Sequence, residues 1–117
     1  MENRTIRSAV ITGPTGAVGT ALCRELAAKG IRVYAVCRPG SARLTAVPAH
    51  PLISVVQCDV SELARLQELI PTGADAFYHF AWAKTTGEGR NDMYAQTENI
   101  RYTVDAVRAA AALGCAV

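Results

Sequence analysis

Three glycines, Gly13, Gly16 and Gly19, recur at every third position between the apolar run Ser8-Ala9-Val10-Ile11-Thr12 and a stretch with helical patterning. Glycines placed between a strand and a helix let the backbone come close to a phosphate. The helix N-terminus then meets that phosphate with free N–H groups and a partial positive charge. The chemistry on offer is binding of a phosphorylated ligand, most specifically a dinucleotide pyrophosphate. The expected contacts from the turn are Gly13, Thr15, Gly16, Ala17, Val18 and Gly19. A Walker-type loop does not fit, because it needs a Lys and a Ser or Thr directly after its last glycine. Here Gly19 is followed by Thr20 and Ala21. The bland alternative is an ordinary glycine-rich turn.

A second cluster lies where the following strand ends, at Cys37 and Arg38. Sites that prefer NAD usually place a carboxylate there to hold the ribose 2′-OH. No carboxylate is present to accept from that hydroxyl or to repel a 2′-phosphate. Arg38 offers a guanidinium that pairs with a phosphate and stacks on adenine, and Arg43 is a second candidate. The expected cofactor is NADP, with NAD as the alternative. The competing reading of Arg38 is a surface arginine at a strand end.

The elements that must position these residues follow from patterning. Ser8 to Thr12 reads as a strand, and a helix runs from about Gly16 to Lys29, its buried stripe expected at Val18, Leu22 and Leu26. Gly30 caps it, and Arg32 to Cys37 is the second strand. Pro39 and Gly40 stop that strand, and Ser41 to Val47 reads as a short helix before a loop at Pro48 and Pro51. Ile53 to Cys58 is the third strand. Ser61 is the expected N-cap of a helix with a stripe at Leu63, Leu66, Leu69 and Ile70 that stops at Pro71. Ala76 to Ala81 is the fourth strand. A last helix, about Asn91 to Leu113, carries an expected core face of Ile100, Val104, Val107 and Ala111. Gly114 caps it, and Cys115 to Val117 begin a further strand. Strands alternating with helices indicate an α/β, Rossmann-like, doubly wound parallel sheet. Right-handed crossovers give the order 3-2-1-4.

Composition closes off other classes. The 117 residues are 50% hydrophobic and 19% charged, with a net charge of +2, which suits one globular core. No basic, aromatic-interleaved patch points to nucleic acid. No apolar stretch approaches the roughly 18 residues of a membrane span. Without a hydrophobic signal region at the N-terminus, the expected location is the cytoplasm. The four cysteines, Cys23, Cys37, Cys58 and Cys115, have neither zinc-site nor disulfide spacing and read as small reduced hydrophobes.

The spacing Thr-Gly-x-x-Gly-x-x-Gly over Thr12 to Gly19 resembles the extended short-chain dehydrogenase/reductases, and among them the NAD-dependent epimerase/dehydratase family. The resemblance extends over nearly the whole chain. It implies that Asp59, after the third strand, reaches the adenine amino group and that Val60 flanks the ring; a helix N-cap is the competing role for Asp59. The segment His79-Phe80-Ala81-Trp82-Ala83-Lys84 resembles the family's His-x-Ala-Ala or His-x-Ala-Gly. Phe80 and Ala81 are thereby placed against the cofactor, and Trp82 stands where a small residue is usual. Lys84 either approaches the cofactor or is a solvated lysine. His79 reads as a structural histidine. Asn99 matches a helical Asn that meets the cofactor in the family.

The family's acid/base pair is a Tyr with a Lys four residues later. The residues four after Tyr34, Tyr78, Tyr94 and Tyr102 are Arg38, Trp82, Glu98 and Ala106, so no such pair exists here. In the family it follows the fifth strand, which barely begins at Cys115. The expectation is an N-terminal cofactor-binding part, residues 1–117, of a longer enzyme. That enzyme transfers hydride on a nucleotide-sugar or similar carbonyl/hydroxyl substrate; this part alone is expected to be inactive. A homodimer is compatible with the resemblance. The alternative function is a non-catalytic NADP-binding redox sensor.

Overall fold

Short runs rich in Val, Ile and Ala alternate with helical segments, and each run becomes a strand. The computed structural model describes residues 5–40, 46–81 and 93–117. The elements are β1 (Ser8–Thr12), α1 (Ala17–Ala28), β2 (Arg32–Cys37), β3 (Ile53–Gln57), a 3-10 segment (Val60–Arg65), α2 (Leu66–Leu69), β4 (Ala76–His79) and α3 (Met93–Leu113). All strand pairs are parallel, in the order β3-β2-β1-β4, as the sequence predicts.

The central strands are apolar in their interiors, over Ala9–Ile11 and Ala35–Cys37, because both faces of the sheet are covered. Ala9, Val10 and Ile11 are completely buried. Alternation sends Ala9 and Ile11 to the face shared with Cys23 and Leu26 of α1. Val10 faces the other way, toward Leu63, Leu66 and Ile70 and toward Ala106, Ala109 and Leu113 of α3. The order reverses between β2 and β4 on either side of β1. Parallel sheets bind ligands at the carboxyl ends of strands at such a reversal.

Three expectations about helices are corrected. Val18 is 66% exposed rather than part of the α1 stripe, and the buried residues are Gly19, Cys23, Leu26 and Ala27. The helix is rotated because Gly19 packs directly on the Gly13–Pro14 backbone, which turns Val18 outward. In α3 the stripe Ile100, Val104 and Val107 faces outward, at 61%, 45% and 66% exposure, as does Ala111. The inner face is Asn99, Ala106, Ala109 and Leu113; its alanines let the helix lie close to the sheet. After β3, Asp59 rather than Ser61 is the N-cap. The expected helix is a 3-10 segment followed by one α-turn, with Leu63, Leu66 and Ile70 buried and Leu69 partly exposed.

Strand ends differ slightly: β3 stops at Gln57 and β4 at His79. Most of the helix expected over Ser41 to Val47 lies outside the described residues. The strand expected from Cys115 has begun along β4, where the Phe77 N–H donates to the Val117 carbonyl at 2.8 Å and the Ala116 N–H to the Asp75 carbonyl at 2.8 Å.

Candidate dinucleotide site

The glycine turn leaves β1 at its carboxyl end and enters α1, and its three glycines have different reasons to be glycine. Gly13 takes a φ of +71°, and a Cβ there would lie 2.9 Å from the Phe80 carbonyl carbon and the Ala81 nitrogen. At Gly19 a Cβ would collide with the Gly13 carbonyl and lie 3.0 Å from the Pro14 Cα. Packing inside the protein therefore excludes side chains at both. Gly16 differs. Its φ of −75° suits any residue, and the nearest atom to a Cβ would be the Gly13 oxygen at 3.8 Å. Among the described residues, nothing requires glycine at position 16.

Gly16 is also the N-cap of α1, with no side-chain cap and no acidic residue in the first turn. The amides of Ala17, Val18 and Gly19 thus open the helix without an internal acceptor. Ala17 and Val18 are exposed, and Thr15 and Gly16 are half-buried. Thr20 braces the turn by donating its hydroxyl to the Pro14 carbonyl at 3.0 Å.

The end of β4 is bound to this turn through Thr12. The Thr12 hydroxyl oxygen accepts from the Phe80 and Ala81 amides, both at 3.1 Å, and lies 2.7 Å from His79 Nδ1. Thr12 is 1% exposed. Phe80 is partly exposed and stacks on Tyr78 with centroids 6.5 Å apart. These contacts set Phe80 and Ala81 directly beside Gly13.

At the ends of β2 and β3, Cys37 is buried and its carbonyl accepts from the Cys58 amide at 2.8 Å. Arg38 projects into solvent, close enough to Asp59 to favour its charged form. One Asp59 oxygen, Oδ1, accepts from both the Ser61 amide, at 2.9 Å, and the Ser61 hydroxyl, at 2.7 Å. These two bonds are the main reason its carboxyl lies below the ordinary range, with Arg38 a lesser one. The capping role is therefore filled through Oδ1, which leaves Oδ2 as a second acceptor. Val60 is half-buried against the α3-side core.

Asn99 is 1% exposed and faces inward, while Ile100, expected in the core face, is 61% exposed. Its Nδ2 donates to Gln96 Oε1 at 3.0 Å, and its carbonyl accepts from the Thr103 hydroxyl at 3.0 Å. Arg43, Trp82 and Lys84 lie outside the described residues. The structure brings Gly13, Gly16, Gly19, Phe80 and Ala81 together at one edge of the sheet, with Cys37, Arg38, Asp59 and Val60 at the neighbouring strand ends. Thr12 is the residue that sequence reasoning passes over. Its signal is faint: a Thr at the last position of β1, in register with a His in β4. A groove of about 480 Å³ lined by Arg7, Arg32, Tyr34, Thr72 and Asp75 lies at the opposite, amino edge of the sheet.

The sequence profile of the NAD dependent epimerase/dehydratase family matches residues 9–117. No functionally curated protein matches the chain. Among solved structures, the chain is similar to the Bordetella bronchiseptica enzyme WbmH in complex with NAD+, at 22% identity and a TM-score of 0.74, over 94% of this chain and 37% of that one. It is similar to the UDP-glucose-4-epimerase of Stenotrophomonas maltophila with bound NAD and formylated UDP-arabinopyranose, at 23% identity and a TM-score of 0.70, over 93% and 34%. A short chain dehydrogenase from Burkholderia cenocepacia J2315 in complex with NADP gives 24% identity and a TM-score of 0.67, over 88% and 49%. The chain thus spans between a third and a half of the length of these structures, and at such identities the likeness is one of fold.

Proposed function

The chain belongs to the NAD dependent epimerase/dehydratase family, and from that premise we propose that its glycine turn and neighbouring strand ends form a nicotinamide dinucleotide site. One observation carries this reading. Among the described residues, Gly16 has open space above an uncapped helix N-terminus, and their packing does not require glycine there. A pyrophosphate over that position accounts for it, because a Cβ would fill the space the phosphate takes.

In this arrangement the amides of Ala17, Val18 and Gly19 donate to phosphate oxygens. Asp59 Oδ2 accepts from the adenine amino group, Val60 flanks the ring, and Phe80 and Ala81 bound the ribose side. Arg38 holds a 2′-phosphate, and no carboxylate at Cys37 opposes it. NADP is the preferred cofactor. When bound, the nicotinamide takes up or returns a hydride. The four tyrosines have no Lys four residues on, so the role assigned to these 117 residues is to hold the cofactor. The substrate class is a nucleotide-sugar or a similar carbonyl or hydroxyl compound. The same missing pair favours, as a second reading, a non-catalytic dinucleotide sensor. Cytoplasmic location is part of the proposal; no helix of the described residues is long and apolar enough to cross a membrane.

Titrating the purified protein with NADPH and NADH tests both levels. Tighter NADPH is expected. Tighter NADH removes the NADP preference, and binding of neither removes the site.

The outward residues of α3 support a homodimer. Ile100, Val104, Val107 and Ala111 recur at intervals of four, three and four, the spacing of a helix–helix seam. A second copy presenting the same seam is the proposed partner.

A further inference from the structure

The hydrogen bonds at the end of β4 leave one arrangement of protons. A hydroxyl has one proton and two lone pairs. Thr12 Oγ1 accepts from the Ala81 amide at 3.1 Å and shares the Phe80 amide with the Thr12 carbonyl, each at 3.1 Å, so both lone pairs face donors. Its remaining neighbour is His79 Nδ1 at 2.7 Å, so the hydroxyl donates and Nδ1 accepts. An N–H at Nδ1 would place a third donor on the same oxygen and leave the hydroxyl proton without an acceptor. A neutral imidazole that accepts at Nδ1 carries its proton on Nε2. That Nε2 is buried and has no partner among the described residues. An orphaned buried donor is a cost that asks for an explanation, and holding Thr12 supplies one.

We propose that His79 is a positioning residue for the cofactor turn: neutral and protonated at Nε2, it takes the Thr12 hydroxyl proton, aims the Thr12 oxygen at the Phe80 and Ala81 amides, and so holds the end of β4 against Gly13. This rests on the dinucleotide reading of the turn. Thr12, Phe77 and His79 share the sheet face that carries α3, since Phe77 packs with Ala106 and Ala109 and His79 follows two residues later. Gly13 has no room for even a Cβ between itself and the Phe80–Ala81 peptide. A small shift of that peptide therefore moves the glycine turn.

Protonating His79 breaks the arrangement, because a second ring proton on Nδ1 then faces the Thr12 hydroxyl proton. Burial also holds the His79 pKa below the ordinary histidine value. Thr12, its partner on β1, is uncharged. On α3, which packs against β4, the described charged residues are Glu98, Arg101, Asp105 and Arg108, and the cause of the shift is burial. The sign follows: the arrangement is intact above the ordinary histidine pKa and is lost as pH falls through the lowered one.

Nitrogen-15 NMR of the imidazole at neutral pH reads the tautomer without cofactor. Protonated Nε2 and an accepting Nδ1 are expected; a proton on Nδ1 overturns the inference. NADPH titrations between pH 5 and 8, with melting temperatures at each pH, then compare His79→Phe, His79→Asn and Thr12→Val. Asn places an oxygen acceptor near the position of Nδ1 but does not titrate. His79→Phe and Thr12→Val are expected to weaken NADPH about tenfold, and His79→Asn to stay within about twofold of the parent. His79→Asn is also expected to lose the fall in affinity on the acid side. Equal losses in the Asn and Phe variants, losses that merely track melting temperature, or an acid limb that persists in His79→Asn overturn it. If the parent binds no dinucleotide, the cofactor reading fails, and the NMR tautomer still decides the hydrogen bond.

Discussion

At the scale of single residues, the three glycines that look alike in the sequence separate into two kinds. Gly19 is fixed by the Gly13 carbonyl and the Pro14 Cα, so Gly19→Ala forces backbone to move. It is expected to cost about 1–3 kcal/mol of stability, as overpacking does. Gly16→Ala meets nothing closer than 3.8 Å. It is expected to cost about 1 kcal/mol or less, the difference between Gly and Ala at an N-cap, yet to weaken dinucleotide binding at least about tenfold by occupying the phosphate's place. Melting curves beside titrations separate the two variants; Gly16→Ala binding as tightly as the parent would leave the turn a purely structural feature. Arg38 is an exposed side chain at a strand end, so Arg38→Ala should leave stability unchanged. Its expected effect is a ten- to hundredfold loss of NADPH affinity, the weight of a charge-assisted bond of about 1.5–3 kcal/mol, with a smaller loss for NADH, which has only the adenine stacking to lose. Parallel titrations with the two cofactors check this.

At the scale of elements, the segment after β3 rests on one carboxylate. Asp59 caps the 3-10 segment through Ser61, whose amide and then hydroxyl lower its pKa. A carboxyl with a lowered folded pKa contributes stability above its unfolded pKa and loses it as pH falls through the folded value. Asp59→Ala is therefore expected to cost about 1 kcal/mol near neutral pH. The gap from the parent should shrink below the ordinary carboxylate range. Urea unfolding at pH 7 and at strongly acid pH measures it, and a gap independent of pH contradicts the assignment. The strands were legible because a parallel sheet covered on both faces demands continuous apolar runs, and β1 and β2 keep the residues the sequence predicts. The helix faces were less legible. Periodicity locates an apolar stripe but does not say what the stripe meets. In α1 the close approach of Gly19 to Gly13 set the rotation, and in α3 small alanines packed inward while Ile100 and Val107 turned out.

At the scale of the whole molecule, the outward seam of α3 has a solution consequence. Val107→Glu puts a charge at an exposed position of that seam, where the fold tolerates it and a pairing surface does not. Sedimentation of the parent should show concentration-dependent self-association, and the variant should stay monomeric. Unchanged behaviour of the two argues against pairing through α3. The sequence by itself determined the place of the glycine turn and the lack of a carboxylate after β2, because each depends on residue type at short range, and the strand order, because alternating strands and helices wind with right-handed crossovers. Only the tertiary structure decided which glycine is free of internal contacts, that Thr12 and His79 meet across parallel strands, and which face of α3 is buried. Those outcomes depend on atoms brought together from positions as far apart as Thr12 and Ala81. The opening glycine spacing marks a phosphate cradle; the fold shows that Gly13 and Gly19 build it and that Gly16 alone leaves the space above it open.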